Sequence, residues 1–203
     1  MTSPTAPADE GVTDLELVKR CQAGDTRAFD ALVTKYRGRV YSMTCHLIQN
    51  ETEAWDLAQE SFIKAWRAIG GFKLDSAFYT WLYRIAHNVC YDWLRKKKIE
   101  GDAEFDDSRT DHHVAAGAEA VPRGVQRPDQ ALKNAELKAR IDAAIARLTP
   151  DHRQAILLKE VEGLRYHEIA EVMECSIGTV MSRLFYARKK LQELLKDTYE
   201  NAT

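Results

Sequence analysis

The sequence predicts an all-α protein that consists of two small helical domains joined by a flexible acidic linker. Apolar residues recur at helical spacing in both halves of the 203-residue chain, and neither half alternates apolar with polar residues as a half-buried strand does. Between the halves, residues 99–130 contain no Leu, Trp or Tyr and hold three basic against eight acidic residues. Such a segment buries too little apolar area to offset the entropy lost on ordering.

These patterns divide the chain into five parts. We expect a disordered tail over residues 1–11, a first domain over 12–98, the linker over 99–130, a second domain over 131–195 and a tail over 196–203. As a flexible coil, the linker would hold its ends roughly 30 Å apart. The two domains could therefore reach separate sites on one extended partner.

The first domain is predicted to contain three helices. One follows the N-cap region Asp25-Thr26, and the second runs from Glu53 to Ile69 and ends at a Gly-Gly pair. After a short loop, Ser76 is expected to cap a third helix that runs to about Lys98. This third helix is unusually rich in aromatic residues and closes with a basic run.

The second domain is predicted to begin near Pro128 with one amphipathic helix. Thr149-Pro150-Asp151 then indicates a restart, because it offers a capping hydroxyl, a proline at the first helical position and an acid in the first turn. That helix should stop at Gly163.

Residues 163–190, GLRYHEIAEVMECSIGTVMSRLFYARKK, have the pattern of a helix-turn-helix. Tyr166 to Met173 forms the first short helix, and Ser176 can cap the second, in which Ile177 and Val180 are expected to face inward. Small polar residues and Arg then lie outward, and a basic run follows, as in a helix that reads DNA bases and binds phosphates. The alternative is an ordinary helical hairpin with a solvated basic face.

This segment resembles the region 4 helix-turn-helix of sigma-70-family transcription initiation factors, in particular the small extracytoplasmic-function class. Independently, EAWDLAQESFIKAWR (53–67) resembles the region 2 helix that docks on the β′ clamp of RNA polymerase. FKLDSAFYTWLYRIAHNVCYDWLRKK (72–97) resembles the element that recognises and melts the −10 promoter sequence. The resemblance covers residues 12–98 and 131–195. It implies a sigma region 2 helical bundle followed by region 4, with no enzymatic activity and no cofactor.

By resemblance, the helix at 53–67 would face the polymerase clamp. The implied polymerase-binding residues are Asp56, Gln59, Glu60 and Phe62. The alternative is that the acids simply complement the helix dipole and form pairs such as Glu60 with Lys64.

The −10 element requires bases to leave the stack at a cost of a few kcal/mol each. Aromatic platforms in a positive groove offset this by about 1–3 kcal/mol per captured base. The implied −10 residues are Phe72, Lys73, Ser76, Tyr79, Thr80, Arg84 and Asn88. About half of the aromatic residues here are expected to be core instead, including Phe78 and Trp81.

In region 4 the resemblance implies contacts with −35 duplex DNA. The implied residues are Arg165, Tyr166, Thr179, Ser182, Arg183, Phe185, Arg188 and Lys189. The chain departs from the family at Met181 and Tyr186, where many relatives have Arg. Its preferred −35 sequence therefore does not follow from the resemblance.

The resemblance implies four kinds of partner or regulator: the polymerase β′ clamp, the β flap, promoter DNA and an anti-sigma factor. We expect a cytoplasmic protein without membrane insertion, and four reduced, mostly buried cysteines. His112-His113 suggests metal binding, but in an acidic segment we interpret it as chance and expect no metal site. Two rival functions remain: a stand-alone regulator of the LuxR type, and a decoy that binds polymerase without reading promoters.

Overall fold

The structure is a computed structural model that describes the backbone of residues 12–103 and 128–200, and the side chains of 12–99 and 134–196. The described ranges contain helices and no strand, which confirms the all-α prediction. Residues 1–11, 104–127 and 201–203 lie outside these ranges, and residues 196–200 of the predicted C-terminal tail belong to the last helix. The helices are α1 (Asp14–Gln22), α2 (Thr26–Ile48), α3 (Glu51–Ala68), α4 (Phe78–Ala103), α5 (Pro128–Ala146), α6 (Pro150–Ile156), α7 (Tyr166–Val172) and α8 (Ile177–Glu200).

Side-chain caps begin several helices at the places that the sequence indicates. Asp25 accepts hydrogen bonds from the amides of Arg27 and Ala28 at the start of α2. Thr149 accepts from the amide of His152 at the start of α6, where Pro150 is the first helical residue. These caps satisfy amides that have no partner within the helix.

Helix α4 differs from the prediction at both ends. It begins at Phe78, so Ser76 lies ahead of the helix instead of capping it. It also continues to Ala103, so residues 99–103 of the predicted linker are helical. Once a helix exists, each added residue contributes one backbone hydrogen bond, and Glu100 and Ala103 in this extension are good helix formers.

The helix predicted to run from Pro150 to Gly163 changes its geometry part-way. The α-helical bonds end at Ile156, and residues Leu157–Val161 continue as a π-helical segment. Gly163 follows with a φ of 72°, which glycine adopts without strain. The segment therefore ends where the sequence predicts, but its second part is π-helical instead of α-helical.

The two domains pack against each other and share one apolar core. Helix α4 lies against α7, and the C-terminal end of α2 lies against α6. The buried cluster runs from Leu17 and Leu32 in the first domain to Leu158 and Leu184 in the second. The sequence predicts the two helical domains but does not predict that their apolar surfaces join.

A buried arginine stabilises the contact between the two domains. Arg153, only 5% exposed, donates to the carbonyls of His46 and Leu47 at the end of α2 at 3.0 and 3.1 Å. Its other hydrogen bonds reach the carbonyls of Ile145, Ala146 and Leu148. Burial lowers the pKa of Arg153 to about 10. One guanidinium thus satisfies two carbonyls at the end of α2 and joins them to the end of α5.

Candidate nucleic-acid interface

One face of α4 carries a row of polar aromatic side chains that all bind the second domain. Tyr79, Tyr83, His87 and Tyr91 are spaced four residues apart, so they lie one above another on successive turns. Their partners in the second domain are Glu168, Glu162, Gln154 and Asp151, in that order. We call these four pairs the α4 seam.

The hydroxyls of the seam are fixed donors. Tyr79 and Tyr83 each donate to a carboxylate oxygen at 2.5 Å. Burial and the hydrogen bond to Glu162 raise the pKa of Tyr83. Burial alone would oppose the charged form of Glu168, but the hydrogen bonds from Tyr79 and from the Arg165 amide outweigh it and lower its pKa. Tyr79 therefore stays protonated while Glu168 stays ionised.

His87 lies at the buried centre of the seam. Its Nδ1 is 2.6 Å from Oε1 of Gln154, and its ring packs against Tyr91 with centroids 4.2 Å apart. Burial lowers the pKa of His87, although the hydrogen bond with Gln154 acts in the opposite direction. The imidazole is therefore held in its neutral form.

The predicted −10 residues separate into three groups. Lys73 and Arg84 are exposed, and Ser76 is half-buried, so these three fit the prediction that they are accessible to a ligand. Tyr79 is engaged in the seam, and Asn88 donates to Glu174 of the second domain at 3.1 Å. The remaining two, Phe72 and Thr80, are buried.

The burial of Phe72 and Thr80 corrects the expectation that their side chains face DNA in this arrangement. The ring of Phe72 stacks on Trp81 with centroids 4.8 Å apart and also contacts Phe78. Thr80 is 2% exposed, and its hydroxyl has no hydrogen-bond partner among the described residues. Thr80 lies on a buried face of α4, whereas Phe72 lies in the loop before α4 and packs on Trp81. Phe78 and Trp81 are buried as expected.

The residues of α3 that are predicted to bind polymerase also differ in their exposure. Asp56, Gln59 and Glu60 are exposed, whereas Phe62 is 9% exposed and packs in the core at the edge of an apolar groove. Glu60 lies 2.9 Å from Lys64, which is the pair that the alternative interpretation expects. Sequence reasoning missed Ile63, which is half exposed next to Phe62 and forms an apolar groove with Trp66.

Helices α7 and α8 form the predicted helix-turn-helix. Glu174 turns the chain with a φ of 48°, and Ser176 Oγ accepts from the Thr179 amide at 3.1 Å. Ser182, Phe185 and Lys189 are exposed, Thr179 and Tyr166 are half-buried. Ile177 was expected to face inward but is 48% exposed, because the first turn of α8 projects beyond α7.

Three predicted DNA-binding arginines have acidic neighbours in this structure. Arg183 is bound to Asp151 at 2.6 Å, and Arg188 to Glu160 at 2.7 Å. Arg165 lies 3.8 Å from Glu168 with its side chain largely exposed. Asp151 and Glu168 are also seam residues, so the two predicted DNA-binding surfaces are joined through shared carboxylates.

Other chemistry is not assembled in the described part of the chain. No group of three His, Cys, Asp or Glu side chains there could hold a metal ion, and His112-His113 lie outside it. All four cysteines are free, and burial raises the pKa of each thiol, to about 12 for Cys90. Within the same ranges no helix is long and apolar enough to cross a membrane.

Comparison with known proteins identifies both halves of the chain. Residues 32–99 match Sigma-70 region 2, and residues 138–191 match Sigma-70, region 4. The RNA polymerase sigma-H factor of Pseudomonas aeruginosa is 43% identical over 188 residues, which cover 91% of this chain and 96% of that protein. The ECF RNA polymerase sigma-E factor of Escherichia coli K12 is 38% identical, with coverage of 92% and 98%. The chain belongs to the extracytoplasmic-function (ECF) class of the sigma-70 family.

Solved structures agree with an ECF sigma factor. CnrH, solved in complex with the cytosolic domain of CnrY, superposes with a TM-score of 0.63 at 26% identity and covers 91% of this chain and 97% of its own. The sigma factor RpoE of Bartonella quintana, solved with the anti-sigma factor NepR, gives 0.62 at 28%, covering 83% and 96%. An ECF sigma factor is a transcription initiation factor and not an enzyme, so the sequence-based predictions of class, fold and non-enzymatic function are confirmed.

The sequence analysis found the basic and aromatic residues of the interface but missed the acidic residues of the second domain that bind them. Glu168, for example, is only 8% exposed and accepts a hydrogen bond from Tyr79. A signal was present: acids of the second domain lie at its helix starts and turns, beside positions that face α4. It could not be interpreted from sequence because no local pattern says which helix those acids meet.

Proposed function

We propose that this ECF sigma factor acts in the cytoplasm as the dissociable promoter-specificity subunit of RNA polymerase. Residues 12–98, region 2, bind the β′ clamp through Asp56, Gln59 and Glu60 and capture the −10 element. Residues 131–195, region 4, bind the −35 duplex and the β flap. An anti-sigma factor controls its release. The named relatives that are solved with anti-sigma or regulatory partners support this last point.

The observation that supports the promoter role is the composition of α4 and α8. Helix α4 carries an aromatic ring at Tyr79, a cation at Arg84 and an amide at Asn88, and these groups suit the bases and phosphates of an opened strand. Ser182 and Arg183 lie in the N-terminal half of α8, which enters the major groove in proteins of this motif.

The closed arrangement implies that the domains separate during initiation. Tyr79 and Asn88 cannot contact the −10 strand while they bind Glu168 and Glu174. Arg183 likewise cannot bind a base edge while Asp151 holds it at 2.6 Å. Polymerase and promoter must therefore provide contacts that replace those of the α4 seam.

Transcription by purified core polymerase tests this function. We expect initiation from a cognate promoter to require the protein and both promoter elements. A stand-alone regulator of the LuxR type would bind duplex DNA without polymerase, and would not need residues 53–98. A decoy would bind polymerase but give no promoter-specific transcript. Initiation that is independent of the protein would contradict the proposal.

A further inference from the structure

The exposed side of α8 carries an apolar row beside a polar one. Ile177, Met181 and Phe185 are four residues apart and are 48%, 55% and 63% exposed. Thr179 and Arg183 form a second row with the same spacing. Residues four apart meet on successive turns of a helix, so both rows run along the first part of α8. One row is built for hydrogen bonds, and the other offers only apolar contact.

The charges around the apolar row favour DNA as its occupant. Between Ile177 and Lys190 the sequence contains no acidic residue. Three consecutive cations, Arg188, Lys189 and Lys190, are exposed at the end of this stretch. A cationic stretch without acids complements the phosphates on both sides of the major groove, which this part of the helix enters in a helix-turn-helix.

The major groove presents one kind of apolar group, the C5-methyl group of thymine. We propose that Met181 and Phe185 contact thymine C5-methyl groups in the −35 element, so that part of the sequence preference of this protein depends on methyl groups. The proposal rests on the −35 function above and adds the chemical group that is read. Arginine at position 181, as in the relatives that the sequence resembles, would bring a hydrogen-bond donor instead.

Packing holds the ring of Phe185 ready for such a contact. It meets the ring of Tyr186 edge-on, with centroids 5.4 Å apart. Tyr186 in turn stacks on His152 of α6 at 6.3 Å. A ring ordered before binding loses little conformational entropy when DNA arrives. Met181 is unbranched and adapts to the shape of the neighbouring base edge.

Deoxyuridine provides the test, because it differs from thymidine only by the missing methyl group. Core polymerase with the full chain first selects duplexes from a library randomised across the −35 element. Each thymine of the selected sequence is then replaced by deoxyuridine. We expect at least one replacement to weaken holoenzyme binding about fourfold, the effect of one buried methyl-sized group.

Variants assign the effect to the apolar row. In Met181→Ala or Phe185→Ala, the sensitive replacement should change binding less than about twofold. Leu15→Ala removes an equally exposed apolar side chain from α1 and should keep the full fourfold sensitivity. Sensitivity that persists unchanged in both α8 variants would overturn the inference, as would a selected element in which every deoxyuridine replacement is neutral. By contrast, a holoenzyme that retains no duplex would contradict the proposed −35 function itself.

Discussion

Arg183, a predicted reader of the −35 element, is bound to Asp151 at 2.6 Å. The same carboxylate accepts a hydrogen bond from Tyr91 of α4. Asp151 thus binds a residue assigned to the −35 contact and also a residue of α4, the helix assigned to the −10 contact. The two DNA-binding surfaces are therefore expected to become available together.

The Asp151→Asn variant should loosen the seam. It keeps the shape of the side chain but removes the charge that binds Arg183 and Tyr91, which should lower the stability of the interdomain contact by about 1–3 kcal/mol. Amide hydrogen exchange in α7 measures this as faster exchange than in the wild type. Glu193→Gln removes the acid from an exposed pair with Lys190 and should leave exchange unaltered. Equal behaviour of the two variants would contradict the role of Asp151.

The Arg153→Leu variant should destabilise the whole protein. It removes the donor that the carbonyls of His46 and Leu47 at the end of α2 share, and each buried group left without a partner costs about 1–3 kcal/mol. We expect the free energy of unfolding in urea to fall by at least about 3 kcal/mol. Arg147→Leu, at an exposed position nearby, should change it by less than about 0.5 kcal/mol. A small effect at Arg153 would mean that other donors replace it.

Two buried threonines should respond in opposite directions to replacement by valine. The hydroxyl of Thr80 is buried without a partner in the described structure, so Thr80→Val should raise the free energy of unfolding by about 0.5–1 kcal/mol. The single hydroxyl proton of Thr44 has the carbonyls of Val40, Tyr41 and Ala54 within hydrogen-bond distance, so Thr44→Val should lower the free energy of unfolding by about 1–2 kcal/mol. If Thr80 also contacts the −10 strand after the two domains separate, Thr80→Val should slow transcription initiation. Destabilisation by both substitutions would refute the assignment at Thr80.

Acidification should weaken the closed arrangement. His87 has a pKa below its usual value near 6.5, so the folded protein binds fewer protons than the unfolded chain. Its contribution to stability is complete above pH 6.5 and declines as the pH falls below that value. Asp151 and Glu174 favour the charged imidazole, while Arg183 and burial oppose it. Unfolding in urea between pH 7.5 and 5 measures the decline.

A matched histidine controls this pH series. His87→Gln should reduce the pH dependence, whereas His167→Gln at an exposed position should preserve it. An unchanged slope in His87→Gln would show that other groups control the response. Glu168, whose pKa is also lowered, adds a loss of stability only at more acidic pH.

The Asp56→Arg variant should weaken binding to core polymerase. Asp56 is exposed on α3, so the substitution reverses a charge without disturbing the core. We expect at least a tenfold higher Kd for core polymerase and an unaltered unfolding midpoint, since reversed charges at an interface repel. Glu16→Arg makes the same change on α1 and should bind normally. Normal binding by Asp56→Arg would exclude it from the clamp contact.

Local features of the fold could be predicted from sequence. The caps at Asp25, Thr149 and Ser176 depend on neighbours within three residues, which the sequence displays directly. The α4 seam could not be predicted, because Tyr79 and Glu168 are 89 residues apart and meet only through tertiary packing. The inward orientation of Phe72 likewise depends on packing against Trp81, and the sequence placed the start of α4 one residue too early.

The central claim is that one face of α4 binds the second domain in the free protein and the −10 strand during initiation. Photo-crosslinking from p-benzoylphenylalanine at position 79 tests it most directly. In the free protein, we predict a crosslink within the chain to the α7 peptide that contains Glu168. In the open promoter complex, we predict that this product disappears and a crosslink to the non-template strand replaces it. A crosslink to α7 that persists undiminished in the open complex, with none to DNA, would contradict the account.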